Sequence, residues 1–145
     1  MNKVRYPFRI LALVALFVLL VLGAACEGGT SGSVSGTRQR YSRKSRAGEC
    51  SGSFNKLSGT YSLDVENESV VSSAEVQVLA AVEVGALRVY LKTPDGETTS
   101  VDVSAGGSAT LRGTAKGEWD GFRVYFEAVE GSVEGVTYEI SYQVP

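Results

Sequence analysis

The sequence predicts an all-β domain, an antiparallel β-sandwich of immunoglobulin-like or jelly-roll-like type with about seven strands. Three observations carry this. Downstream of Cys50, apolar and polar residues alternate with a period of two. Gly, Pro, Asp and Asn interrupt the alternation at roughly eight- to twelve-residue spacing, and no window holds a helical period over three turns. The connections are too short for the crossover helices that parallel strands need. The Cys and Trp arrangement of antibody domains is absent, and a small barrel such as an OB-fold is the other all-β solution of this size.

The strands follow in order. Tyr61, Leu63 and Val65 share one face, with Ser62, Asp64 and Glu66 on the other. The run Ser73–Val84 places Val76, Val78, Ala80, Val82 and Val84 inward. Gly85 then breaks the register, because the inward set passes to Leu87, Val89 and Leu91, which requires a bulge, bend or tight turn. Thr93-Pro94-Asp95-Gly96 closes a hairpin: proline pre-sets its own φ and glycine accepts a positive one. Thr99, Val101 and Val103 continue the pattern to Gly106-Gly107. Ala109, Leu111 and Ala115 make a weaker strand, interrupted by Gly113 and expected at an edge. Phe122, Val124, Phe126 and Ala128 alternate with Arg123, Tyr125 and Glu127. After a loop over Glu130–Gly135, the last strand carries Val136, Tyr138, Ile140, Tyr142 and Val144, and these two runs are expected to form a core C-terminal hairpin.

The start of the chain has a different composition. Met1–Arg9 is basic, Ile10–Leu22 is an uninterrupted apolar run, and Gly23, Ala24 and Ala25 precede Cys26, which together form the zones of a secretory leader or short anchor helix. Ile10 through Cys26 is seventeen residues, against about 18–20 for a permanent span, so cleavage is the expected outcome. Leu22-Gly23-Ala24-Ala25-Cys26 resembles the lipobox of bacterial lipoproteins. Gly23 stands where that pattern usually has Leu, with Leu22 one place early. The resemblance implies that Cys26 is acylated, becomes the new N-terminus and holds the chain in membrane lipid on the extracytoplasmic face of a bacterial cell membrane. Ordinary signal-peptidase cleavage after the same small residues is the competing outcome, and Cys26 and Cys50 would then be free to pair.

The expected organisation is therefore a signal peptide with lipobox over 1–25, a linker over 26–50 and the sandwich over 51–145. The linker is Gly/Ser-rich and then basic, with Arg38, Arg40, Arg43, Lys44 and Arg46 and few apolar residues, so it is expected to be disordered. Its stretch from Glu27 to Gly48, as a flexible tether of some 22 residues, averages about 25 Å end to end. Its basic cluster suits either plain solvation or contact with anionic headgroups or wall polymers.

Charge and chemistry exclude several functions. From Cys50 onward six Lys/Arg face fourteen Asp/Glu, a net of −8, which repels a phosphate backbone, and no nucleic-acid partner is expected for the folded domain. The chain has no histidine, which removes Ser-His-Asp and Cys-His catalysis and histidine metal sites. Cys50 follows Glu49, a neighbour that disfavours a thiolate. Asp64, Glu66 and Glu68 lack the spacing of a calcium loop and read as a solvated strand face. No catalytic residue, metal or cofactor is expected. The candidate ligand-binding residues are Glu118, Trp119 and Asp120, in a glycine-flanked loop where the sole tryptophan sits between two acids. Trp119 either plugs the open end of the sandwich or stacks on a sugar ring or partner, with both acids accepting hydrogen bonds from hydroxyls. Tyr90 and Tyr125 add to an aromatic surface if their strands are neighbours. The expected function is a non-catalytic binding module for carbohydrate, peptide or envelope protein; the alternative is an assembly component acting through strand-edge pairing.

Intact mass of the membrane-extracted protein checks the leader. The expected product begins at Cys26, is heavier than the bare chain by acyl groups, and partitions into detergent, whereas Cys26→Ala does not. A bare chain two mass units light would mean a Cys26–Cys50 disulfide instead.

Overall fold

The computed structural model describes residues 31–118 and 120–145; the expected leader helix and Cys26 lie outside them. The strands are β1 (Ser31–Ser35), β2 (Arg38–Lys44), β3 (Ala47–Glu66), β4 (Ser73–Val84), β5 (Leu87–Lys92), β6 (Thr98–Val103), β7 (Ser108–Lys116) and β8 (Gly121–Gln143). The described residues contain no helix, and every strand pair is antiparallel.

The architecture follows from nesting one hairpin inside another. The Thr93–Gly96 turn joins β5 to β6, where Leu87 faces Val103. Its geometry is as the residues require: Gly96 N donates to the Thr93 carbonyl at 3.0 Å with a φ of 90° at Gly96, and Glu97 N donates to the Asp95 carboxylate at 3.2 Å. Outside that pair β4 lies against β7, and outside that again β3 lies against β8, from Ala47 facing Gln143 to Glu66 facing Gly121. Rolling this ribbon up adds two further pairings: the later part of β8 meets β4, and its earlier part meets β5. The result is two layers, β2–β3–β8–β4–β7 and β3–β8–β5–β6, with β3 and β8 passing through both and β1 flanking the bend of β3. This winding is a jelly roll and not the immunoglobulin topology.

Aromatic contacts measure how sharply the long strands bend. Phe126 and Tyr138 lie twelve residues apart in β8, a separation of about 40 Å in a straight strand, yet their ring centroids are 5.0 Å apart. Phe54 in β3 meets Tyr61 of the same strand at 5.8 Å and Phe126 at 5.6 Å, both edge-on. The bend falls at a register shift between Ser58 and Thr60 in β3 and around Gly131 and Gly135 in β8. Gly85, at the β4–β5 corner with a φ of 90°, packs on the same line: a Cβ there would meet the Ser132 carbonyl at 2.6 Å. The register change expected at Gly85 is thus a change of layer. Val84, expected inward, is exposed instead, because the inner face ends where the chain turns the corner.

Most of the expected inward residues form one core, including Leu63, Val65, Val76, Val78, Leu87, Leu91, Phe122, Phe126, Val136 and Ile140. Fully burying each such side chain contributes about 1.5–3 kcal/mol. β7 is an edge strand as expected, paired with β4 alone among the described residues.

Three expectations are corrected. Residues 31–50 are not a structureless spacer: β1, β2 and the start of β3 occupy them, so the folded domain includes residues from Ser31. The Glu130–Gly135 loop is part of the continuous β8. The two runs it was expected to separate do not form a hairpin with each other, because β3 supplies the partner for both. Merging two strands and adding two gives eight in place of about seven.

The spacer region folds for a physical reason. Gly48, Cys50, Gly52 and Phe54 alternate on the inner face, and Gly48 and Gly52 stand opposite Tyr142 and Tyr138. A Cβ at Gly52 would overlap the Tyr138 Oη and the Arg38 carbonyl, and one at Gly48 would overlap the Tyr142 ring. The partner strand's tyrosines thus cover bare backbone and supply the apolar surface that β3 lacks. Gly52→Ala is expected to lower stability by about 1–3 kcal/mol through this overpacking, read as the urea midpoint. A midpoint within error of wild type would mean that Tyr138 does not lie over β3.

Candidate functional site

The Gly117–Gly121 loop is built by a narrow turn. Glu118 N donates to the Gly121 carbonyl at 2.8 Å and Gly121 N returns a bond to the Glu118 carbonyl at 3.2 Å. Two further bonds pin the loop to the segment after β3: Gly117 N to the Ser72 carbonyl at 2.8 Å, and Asn67 N to the Asp120 carbonyl at 2.6 Å. Asn67 is the one buried polar residue of the described core, and it is satisfied. Its amide donates to Tyr142 Oη at 3.0 Å, and its Oδ1 accepts from Ser69 N at 2.9 Å. The Asn67-Glu68-Ser69 sequence therefore has a structural use, and Asn67 is enclosed.

Glu118 and Asp120 line a cleft of about 360 Å³ where β3 leaves the sandwich and β8 enters it. Asp64, Glu66 and Glu68 share that lining, with Arg43 and Arg123. Arg123 sits at its centre: Nε donates to Asp64 Oδ1 at 2.6 Å and Nη1 lies 3.5 Å from Glu118 Oε2. The bond to Asp64 and its charge hold the guanidinium protonated more firmly than usual. Arg43 Nη1 reaches the Glu66 carbonyl at 3.4 Å. Glu66, Glu68 and Asp120 make no ion pair among the described residues, and no group of acids or cysteines there has metal-site geometry. The cleft can accept hydrogen bonds from hydroxyls, amides or ammonium groups, and its two arginines can donate to carbonyl or acidic oxygens. Trp119 lies outside the described residues.

The sequence reading kept Asp64, Glu66 and Glu68 apart from the loop as a strand face; the fold brings them together with Glu118 and Asp120. It passed over both arginines. Arg123 was readable as the outward neighbour of the loop on an alternating strand, but Arg43 carried no such signal, because only the β2–β3 pairing brings it there. Tyr90 and Tyr125 do lie on neighbouring strands: they stack at 4.7 Å with planes 3° apart, and Lys92 Nζ lies 5.0 Å from the Tyr125 ring centre. They belong to the outer face of the second layer, which also carries the Arg88–Asp102 pair at 2.8 Å, and Tyr125 adjoins the cleft through a side-chain hydrogen bond with Arg123.

Cys50 is free and buried in the core. Burial pushes its thiol above the ordinary value, offset in part by a hydrogen bond with Tyr41, and a neutral enclosed thiol is a poor nucleophile. Around it Gln39 Nε2 donates to Tyr61 Oη at 3.1 Å and Tyr41 Oη donates to Gln39 Oε1 at 2.9 Å. This chain closes the open side of the sandwich between β2 and the later part of β3. Among the described residues no helix is long and apolar enough to cross a membrane.

The class of protein these features define is a jelly-roll β-sandwich with an acidic, arginine-centred cleft at one end. No protein-family model and no curated protein matches the chain. Among solved structures it is similar to Lactobacillus farciminis oxalate decarboxylase in a formate complex, at 13% identity and a TM-score of 0.39, covering 81% of this chain and 31% of that one. It is also similar to the Phanerochaete chrysosporium exo-β-1,3-galactanase with galactose, at 12% identity and 0.41, covering 76% and 30%. A third is an uncharacterized Listeria monocytogenes protein in complex with glucose, magnesium and calcium, at 10% identity and 0.39, covering 77% and 11%. The chain thus spans less than a third of the length of each. At these values the likenesses carry no argument about fold or activity, and the jelly-roll assignment rests on the strand pairing.

The tyrosines of the closed side make stability depend on pH at the alkaline end. Burial, then the neighbouring Cys50, raises the enclosed Tyr138, and burial raises Tyr61 as well. The folded chain then holds protons that the unfolded chain has released, so stability is present below the ordinary value and falls as pH rises from 10 toward 12. The urea midpoint is expected to fall over that range, and to fall less in Tyr138→Phe; a midpoint at pH 11 equal to that at pH 7 would contradict the burial of these hydroxyls.

Proposed function

We propose that this chain is a non-catalytic binding module, anchored by acylated Cys26 on the extracytoplasmic face of a bacterial cell membrane. Its ligand, a carbohydrate, a peptide or another envelope protein, is taken in the cleft beside Glu118 and Asp120. The observation that carries the reading is the convergence of five carboxylates and two arginines on one cleft at the loop that holds the sole tryptophan. Two of the carboxylates are engaged by Arg123, which orders the floor of the cleft, and Glu66, Glu68 and Asp120 face a ligand's donors. The absence of histidine and the enclosed thiol support a binding role over catalysis.

A second reading, a structural component of an envelope complex acting through strand-edge pairing, is supported by β7, whose outer edge is unpaired among the described residues. Envelope glycans and peptides titrated against the detergent-extracted chain, with tryptophan fluorescence as readout, separate the two. The binding-module reading expects a saturable shift, weakened at least tenfold in Asp120→Asn and in Glu118→Gln; for Trp119→Ala, which removes the fluorophore, it expects loss of the binding heat in titration calorimetry. A constant crosslinked partner in membranes, with no fluorescence response to any of these ligands, would favour the assembly reading.

A further inference from the structure

We infer that β2 is a membrane-apposed surface whose cations rest on anionic phospholipid headgroups. The inference builds on the anchoring of Cys26 proposed above.

Its starting point is the segregation of charge. Arg38, Arg40, Arg43, Lys44 and Arg46 lie within nine residues, and no acid occurs between Ser31 and Gly48, whereas the chain from Cys50 onward carries −8. The fold turns this run into a strand at the edge of a layer. β2 pairs with β3 alone among the described residues, and all seven of its residues are exposed. A body this polarised orients in front of an anionic surface, with its acidic part repelled and its basic edge drawn in.

Chain length brings the edge to the surface. The 26–50 spacer expected from sequence is strand from Ser31, so only four residues lie between Cys26 and the first described strand, five Cα steps with a reach of at most about 18 Å. β1 and β2 then run in succession along the same side of β3. A domain held this close works within about two Debye lengths of the headgroups, where surface charge is still felt.

The face beside β2 suits headgroup phosphates. Arg38 and Arg40 stand opposite Ser53 and Ser51, and these four residues line a groove of about 480 Å³ together with Thr137 and the half-exposed Leu79. Guanidinium groups and hydroxyls are donors to phosphate oxygens, and an exposed leucine tolerates the acyl boundary. Glu139 and Glu49 are the acids that line this groove and the one beside it, where the outward cations of β2 are Arg38, Arg40 and Lys44; Glu75 and Arg112 lie farther across the same face, on β4 and β7. A second copy is a poorer occupant, because edge-to-edge pairing of two β2 strands would bring like charges into register.

The test is amide hydrogen exchange on the full-length chain reconstituted into phosphatidylcholine vesicles with and without 30% phosphatidylglycerol. Exchange in β2 is expected to slow at least fivefold in the anionic vesicles while β5 and β6 are unchanged, and 0.5 M salt is expected to restore the neutral-vesicle rate. The variant Arg38→Gln/Arg40→Gln/Lys44→Gln is expected to stay vesicle-bound, keep the wild-type exchange of β4 and β8, and lose the phosphatidylglycerol effect. Equal β2 rates in both vesicles would overturn the inference. Flotation with neutral vesicles is scored separately: a chain that does not float refutes the anchoring of Cys26, while lipid-dependent protection of β2 still decides the edge.

Discussion

The antiparallel ladder between β3 and β8 is the constraint on which the rest of this structure depends. It joins Ala47 to Gln143 and Glu66 to Gly121, the two arms of the described chain, and it runs through both layers. Every other strand either pairs directly with one of these two or pairs with a strand that does. Because both members bend at the same place, each layer receives one half of each, and the Phe54, Tyr61, Phe126 and Tyr138 rings meet inside the bend. A ladder that closes the chain ends on each other makes mostly long-range contacts, which cost loop-closure entropy before apolar burial compensates. The tight Thr93–Gly96 turn keeps the closure cost of the innermost pair small.

The same ladder decides where charge goes. Its outer edge at β3 is covered by β2, which puts four cations on a strand whose remaining hydrogen-bonding groups face outward, a placement that discourages strand-on-strand aggregation whatever else it does. Its far end gathers carboxylates from β3, from the segment after it and from the loop before β8 around Arg123. Exposed ion pairs contribute only about 0–1 kcal/mol each, so these pairs position the cleft's side chains more than they stabilise the fold. The proposed binding site and the proposed membrane contact therefore occupy surfaces of opposite charge, set by a single pairing of strands.

Much of the fold was legible from the order of residues, and the particular misses share one cause. Alternation identified the inner faces of β4, β5, β6 and β7, the Gly85 register change and the Thr93–Gly96 hairpin, because in those segments each strand carries its own apolar face. β3 between Ala47 and Phe54 does not: its inner positions are Gly48, Cys50 and Gly52, and their cover comes from Tyr142 and Tyr138 some ninety residues away. Composition there looks like a flexible spacer, and only the partner strand makes it a strand. The Glu130–Gly135 segment was misread for the related reason that glycines which end a strand locally can also bend one that a neighbour holds on both sides of the bend. In the cleft, Glu118 and Asp120 were readable from their loop, whereas their association with Asp64, Glu66, Arg43 and Arg123 was not.

By itself the sequence determined an all-β chain, the faces of most strands, one hairpin, an apolar N-terminal segment whose end resembles a lipobox, and an acidic domain without histidine chemistry. These are local properties, written in periodicity, turn residues and composition. The tertiary structure alone decided between jelly-roll and immunoglobulin winding, turned a basic spacer into an edge strand, and drew scattered carboxylates into one cleft. Those outcomes depend on which strands pair across long stretches of chain, and pairing is settled by how side chains from distant segments cover one another.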